Sequence, residues 1–152
     1  MENVNIDKSM QRAKSGGTFS FFQTKFLGFE KDIYTFELNF SSKSLNPFKT
    51  VQGGMIASAL DEVTSISVNI LTNDEFLPSS TDIHITFHRP LTSGKVLGTA
   101  KIIQLGQTIV SIEGRLYSKI GKRSATALHT AILKKTSELD IIHIGSLSPF
   151  CQ

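Results

Sequence analysis

Asp61 and Glu62 stand side by side within a stretch, Val51 to His88, that contains no Lys or Arg, although the chain carries 16 such residues. Neither acid has the i±3 or i±4 cation that a solvated helix face usually offers. A carboxylate kept ionised beside a reacting carbonyl can act as a nucleophile or as the base that activates water, and both routes stay open for Asp61. Gly53 and Gly54 come just before it, where the pattern turns helical. A helix start leaves backbone N–H groups unpaired and carries the positive end of the dipole. Residues without side chains let a carbonyl come close to those donors, and one donor aimed at a developing oxyanion is worth about 3 kcal/mol of barrier. Either feature alone reads as ordinary structure, a turn or a surface acid. Together, on a helix without cations, they ask for a further explanation.

The elements that must hold these residues are legible in the periodicity. Tyr34, Phe36, Leu38 and Phe40 alternate with Thr35, Glu37 and Asn39, the period of a half-buried strand. After Gly53-Gly54 a helical period places Ile56, Ala59, Leu60, Val63, Ile66 and Ile70 on one face. Ala57, Ser58, Thr64, Ser65 and Val68 fall on the opposite face with Asp61 in their middle, an expected surface for close approach of another backbone or a ligand. "TDIHITFHR" returns to period two, with Ile83, Ile85 and Phe87 on one side and His84, Thr86 and His88 on the other. Three more strand-like runs follow, joined by short Gly-bearing turns that suit antiparallel hairpins. One long helix among five or six such strands buries its apolar face only if the sheet curls round it. The expected class is α+β, an antiparallel sheet wrapped on a central helix, spanning 18–135 after a polar lead-in (1–17) and before a tail (136–152).

Composition limits what else the chain can be. With 152 residues, 39% hydrophobic and 19% charged, it fits one globular domain with a real core. A net charge of +3 is only mildly basic, and no block of cations tracks a phosphate backbone, so nucleic acid is not an expected partner. Cys151 is the only cysteine, which excludes an intrachain disulfide and a Cys-based metal site. The first residues carry charges where a signal peptide needs an apolar run, and no segment has the length of a membrane span. A cytoplasmic, soluble protein is expected. His84 and His88 read as filling a sheet face, and no spacing argues for a metal.

The segment "NPFKTVQGGMIASALDEVTSISV" resembles the signature of hot-dog-fold acyl-CoA thioesterases of the phenylacetate-degradation (PaaI-like) type. That signature runs Asn, a short loop, His-Gly-Gly, then Asp seven residues after the second glycine; Asn46, Gly53, Gly54 and Asp61 take those places. The likeness continues through the Arg-Pro turn at Arg89 and the strands after it. It implies hydrolysis of a small or medium acyl-CoA to free acid and coenzyme A, without a further cofactor. It also implies a catalytic set of Asp61, Gly53, Gly54, Asn46, Gln52 and Ser80, the Ser80 hydroxyl positioning water. Gln52 replaces the usual His and cannot carry a proton. Arg89 and the Gly106-Gln107-Thr108 turn are implied substrate contacts, and Arg89, Lys95, Arg115, Lys122 and Arg123 are candidates for the coenzyme's phosphates. The small-residue face around Asp61 and the two open edges of a curled sheet predict a homodimer with a continuous sheet, with a dimer of dimers as an option; the resemblance adds that Asn46 and Gly53 of one chain meet Asp61 and Ser80 of the other.

Two rival functions share these residues. A hot-dog dehydratase or hydratase would need a His and an acid facing each other, and the sequence places no His near Gly53-Gly54. A non-catalytic acyl-CoA-binding protein would use the same groove without cleavage. The acyl group stays open, since straight-chain, aryl and hydroxylated aryl groups all suit a pocket of Phe, Ile and Leu.

Overall fold

The structure, a computed structural model, describes residues 6–138. Helices α1 (Ile6–Lys14) and α2 (Gly17–Phe22) precede strands β1 (Lys25–Glu30) and β2 (Ile33–Phe40). The long helix α3 (Gly53–Leu71) follows, then β3 (Phe76–Phe87), β4 (Gly94–Leu105), β5 (Ile109–Tyr117) and β6 (Arg123–Lys135). The six strands form one sheet in the order β1-β2-β4-β5-β6-β3, and every pairing is antiparallel. Among the described residues both β3 and β1 therefore leave an outer edge unpaired. The strand count is the upper of the two expected.

Alternation decides which side of the sheet faces α3. Tyr34, Phe36, Leu38 and Phe40 are buried, as are Val110, Ile112 and Leu116 of β5, and they meet Ile56, Ala59, Leu60, Val63, Ile66 and Ile70 of the helix. Under the middle of α3 the inward residues become small: Gly98 and Ala100 on β4, Gly114 on β5, Ala125, Ala127 and Ala131 on β6. A Cβ on Gly98 would stand 2.8 Å from Leu38 Cδ1 and 3.0 Å from Val63 Cγ1; one on Gly114 would stand 2.8 Å from Thr64 Cγ2. The helix thus rests directly on backbone at two points, which fixes its height and rotation over the sheet.

The described part of the polar lead-in, from Ile6, is helical. Ile6, Met10 and Ala13 lie one helical turn apart on α1 and pack on the core, while Phe19 and Phe22 of α2 are buried. Ser9 donates to buried Asp74 at 2.8 Å, joining α1 to the end of α3. The expected small-residue face of α3 is only partly open: Thr64, which faces Gly114 and the sheet, and Val68 are fully buried inside the chain, whereas Ala57, Ser58 and Ser65 are half-buried. The sheet on one side and the two short helices on the other enclose most of the second half of α3.

One irregularity re-aims the site. β3 pairs with β6 so that Ser80 faces Ala131 and Asp82 faces Thr130, leaving Thr81 as an extra residue. Such a bulge reverses the in-out alternation beyond it. Ile83 and Ser80 are three residues apart, yet both turn to the helix side, opposite His129 and Ala131 respectively. Without the bulge Ser80 would face away from α3.

Gly114→Ala should destabilise the fold by about 1–3 kcal/mol through overpacking against Thr64, whereas Gly54→Ala, with open space around a new Cβ, should be neutral or stabilise by up to about 1 kcal/mol. Urea unfolding of the two variants gives the comparison.

Candidate active site

Asp61 sits halfway along α3 with its side chain 51% exposed. Its Oδ1 accepts from Ser80 Oγ at 3.1 Å. Ser80 Oγ in turn lies 2.9 Å from His129 Nε2, and the other ring nitrogen, Nδ1, lies 2.8 Å from Thr64 Oγ1. Thr64 also donates to the Leu60 carbonyl at 2.8 Å. The result is a continuous polar line across helix, β3 and β6: Leu60, Thr64, His129, Ser80, Asp61. Each end is positioned by a feature of the fold, Thr64 by the glycine beneath it and Ser80 by the bulge.

His129 was not among the residues singled out from the sequence. Its ring is buried, with no side-chain exposure, and its Nε2 is 3.7 Å from Asp61 Oδ1. Burial lowers its pKa from the ordinary 6.5, opposed by the nearby carboxylates of Asp61 and Asp82. The available signal was its parity, since His129 shares the inward alternation of Ala125, Ala127 and Ala131 on β6. An acid and a His thus face each other at Asp61; the expectation that no His lies near Gly53-Gly54 is corrected instead by His88, which lines the cleft at Gly53. Both ring nitrogens of His129 are already engaged, however, and Ser80 stands between the ring and the open side.

The other expected site residues divide into two groups. Gln52 caps α3 without a side-chain cap bond, and its carbonyl accepts from Met55 and Ile56, so the Gly53 and Gly54 N–H groups form the free first turn. The Phe87 ring lies over Gly53, where a new Cβ would come within 3.4 Å of it. Val51, Gly53, Phe87, His88, Arg89 and Pro90 line a cleft of about 320 Å³ at this helix end. Asn46 is committed to its own loop: Oδ1 accepts from the N–H groups of Phe48 and Thr50, and Nδ2 donates to Thr50 Oγ1 at 2.9 Å. Gly106 and Gln107 line a cleft with Thr72 and Phe76, at the far end of α3. Within one chain the structure brings Asp61 and Ser80 together and keeps them apart from Gly53. Eight residues of helix separate Gly53 from Asp61, about 12 Å along the axis.

Glu62 behaves as a structural group. It points to α2, where Thr18 Oγ1 donates to it, and burial raises its pKa against the effect of that hydrogen bond. Of the cation candidates, Lys95 pairs with Glu37 at 3.0 Å and Arg115 with Glu113 at 2.6 Å. Arg89 instead donates to the Arg123 carbonyl at 3.0 Å and borders a second cleft of about 410 Å³ with Lys119, Lys122, Thr92 and Ser118, lined by no acid. Among the described residues no group of three or more His, Cys, Asp or Glu could hold a metal, and no helix is long and apolar enough to cross a membrane.

Comparison with known proteins gives consistent matches. The family model of the thioesterase superfamily matches residues 48–125. The chain is 30% identical over 105 residues to the proofreading thioesterase EntH of Klebsiella pneumoniae, covering 68% of this chain and 77% of EntH. A phenylacetic acid degradation-related protein of Ralstonia eutropha superposes with a TM-score of 0.75 at 25% identity, covering 84% of this chain and 99% of that one. A thioesterase-fold protein of Streptococcus pneumoniae, solved with coenzyme A, superposes with a TM-score of 0.73 at 13% identity, covering 83% of this chain and 97% of that one; at that identity the likeness is one of fold.

A His whose folded pKa is depressed stabilises the fold fully above 6.5 and loses that contribution as pH falls through the folded value. Stability by urea unfolding should therefore fall on acidification from pH 7, and His129→Gln should flatten this slope, although it lowers the overall stability.

Proposed function

Since the chain belongs to the thioesterase superfamily and is a thioester hydrolase, we propose that it cleaves acyl-CoA, with Asp61 as the general base. The observation that carries this is the half-exposed Asp61 carboxylate with the Ser80 hydroxyl 3.1 Å from it. Together they form a pair that can hold one water between an acceptor and a donor. Asp61 takes a proton as the water oxygen attacks the carbonyl carbon. The C–S bond then breaks and sulfur leaves as a thiolate, a good leaving group because thiol pKa values lie near 8.5. The oxyanion rests on the N–H of Gly53, with Asn46 shaping the loop before it and Gln52 at the helix cap. Water is the only co-substrate, and coenzyme A enters as part of the substrate. Asp61 as nucleophile remains the second route for the same residue; a single turnover in ¹⁸O-water would leave label in the protein in that case only.

The distance between Gly53 and Asp61 supports a site shared by two chains. Among the described residues β3 offers a free edge of 12 residues without Lys or Arg, though Pro78 and the bulge at Thr81 interrupt it. We place the partner there as a second copy, its β3 continuing the sheet and its Gly53 completing the Asp61 site. Exposed Leu97, Ile109, Leu128 and Ile132 on the outer sheet face support a further dimer-of-dimers contact. The coenzyme's phosphates fit the cleft of Arg89, Lys119 and Lys122, which shares Arg89 and Pro90 with the cleft at Gly53. The dehydratase reading is less supported, because the buried His129 cannot reach a substrate carbon past Ser80. An enoyl-CoA absorbance assay separates the two. Tight acyl-CoA binding without release of free thiol would favour the non-catalytic reading instead.

Asp61→Asn should lower thiol release from acyl-CoA by a hundredfold or more, while Glu62→Gln leaves it within a few-fold; equal losses would place the chemistry elsewhere. Gly53→Pro removes one N–H at a helix position that tolerates proline and should cost about 10²–10³ in kcat. After subunit exchange with Asp61→Ala, the mixture should recover about a quarter of wild-type activity, because half the dimers then hold one intact site. No recovery in verified mixed dimers would confine the site to one chain.

For the phosphate cleft, Lys119→Gln with Lys122→Gln should raise KM for acyl-CoA about tenfold or more, as for lost charge-assisted hydrogen bonds, and leave the matching acyl-pantetheine unchanged.

A further inference from the structure

His129 has no role in the reaction as proposed so far, yet its surroundings define its chemistry. Thr64 has one hydroxyl proton, and the Leu60 carbonyl at 2.8 Å takes it in the usual helix-turn manner. Thr64 Oγ1 can then only accept from His129, so Nδ1, 2.8 Å away, carries the ring proton. A neutral imidazole with Nδ1–H has a lone pair on Nε2. That lone pair points at Ser80 Oγ, 2.9 Å away, and Ser80, 3.1 Å from Asp61 Oδ1, has one proton for two acceptors: it bonds Asp61 while that carboxylate is ionised and turns to Nε2 once Asp61 is protonated.

From this geometry we infer that His129 is the second proton acceptor of the site, reached from Asp61 through the Ser80 hydroxyl. The inference rests on the general-base reading above. When Asp61 has taken the proton of the attacking water, it passes that proton to Ser80 Oγ while the Ser80 proton moves to His129 Nε2. One O–H bond breaks at Asp61 and one forms at Ser80; one O–H bond breaks at Ser80 and one N–H bond forms at His129. No charge is created or lost: neutral acid plus neutral imidazole become carboxylate plus imidazolium. Asp61 is thereby restored as a carboxylate while the product is still bound.

The charges facing the ring decide whether this shift is affordable. Asp61 on α3 and Asp82 on β3 both favour the imidazolium, and burial opposes it. Among the described residues these are the only charged groups that bear on the ring electrostatically, and no cation is among them. In the imidazolium state every member of the line has a partner: Nδ1–H donates to Thr64, Nε2–H to Ser80, and Ser80 to the Asp61 carboxylate. His129 touches no substrate, so it acts as a positioning and proton-accepting residue behind Ser80 and Asp61.

Two measurements test this. The first is ¹⁵N NMR of the ring in the intact protein, which needs no substrate. It should show Nδ1 protonated and Nε2 bare at neutral pH, and Asp61→Asn should lower the ring's pKa by removing a facing carboxylate. An Nε2–H tautomer, or a ring pKa indifferent to Asp61→Asn, overturns the inference. The second is kinetic. His129→Gln keeps a hydrogen bond to Ser80 but cannot take a proton, so kcat should fall at least tenfold with KM unchanged, and the acid limb of the kcat profile assigned to the ring should vanish. Wild-type kcat and an unaltered acid limb in His129→Gln would overturn it. Thr64→Val, which frees Nδ1 while leaving His129 and Ser80 in place, should lower kcat in the same direction; an unchanged kcat there also counts against it. A protein that hydrolyses no thioester refutes the hydrolase reading, and the NMR arm still decides the tautomer and the coupling.

Discussion

The seating of α3 on backbone at Gly98 and Gly114 is the contact on which the rest depends. Two missing side chains let the helix descend until Val63 and Thr64 touch the sheet. That depth brings the Thr64 hydroxyl level with the inward row of β6, where His129 stands between alanines. A helix held a methyl group higher would still bury its apolar stripe, but the line from Thr64 to Asp61 would be broken at hydrogen-bond distances of 2.8 to 3.1 Å. The core and the polar site are thus fixed by the same contact.

The long cation-free stretch has a physical counterpart in this arrangement. Among the described residues no Lys or Arg pairs with Asp61, and the ionisable base beside it is a ring whose pKa burial lowers. A permanent cation in that place would hold the carboxylate ionised but would also bind it, weakening it as a base. A neutral imidazole gives direction without that cost. The second acid, Glu62, is spent on holding α2 through Thr18.

Much of this was legible in sequence, and what was not has identifiable causes. The alternation of Tyr34 to Phe40 and the helical stripe from Ile56 to Ile70 placed β2 and α3 correctly, because core burial follows side-chain period directly. Asp61 stood out through its neighbours rather than itself. Ser80 was found by likeness; strict alternation from Ile83 would have turned it outward, since a bulge at Thr81 is a property of pairing and not of composition. His129 was missed because small residues flank it, so β6 lacks the large apolar residues that mark an inward face. The opposite face of α3 was read as a surface for a partner backbone or a ligand, and the helix α1 beside it went unread because Ile6, Met10 and Ala13 make too short a pattern within a polar segment.

The pairing of β3 with β6 also has a consequence for how the chain is made. β3 ends at Phe87 and its partner runs to Lys135, so a ribosome must add nearly fifty residues before the ladder can close. At about 5–20 residues per second that takes roughly 2–10 seconds. Early in that time α3 lacks its floor from β4 and β5, and until β6 is made a 12-residue strand without Lys or Arg travels with both edges open. The nascent chain is therefore most exposed to association with its neighbours before β6 emerges, and synthesis of β6 closes one of the two edges.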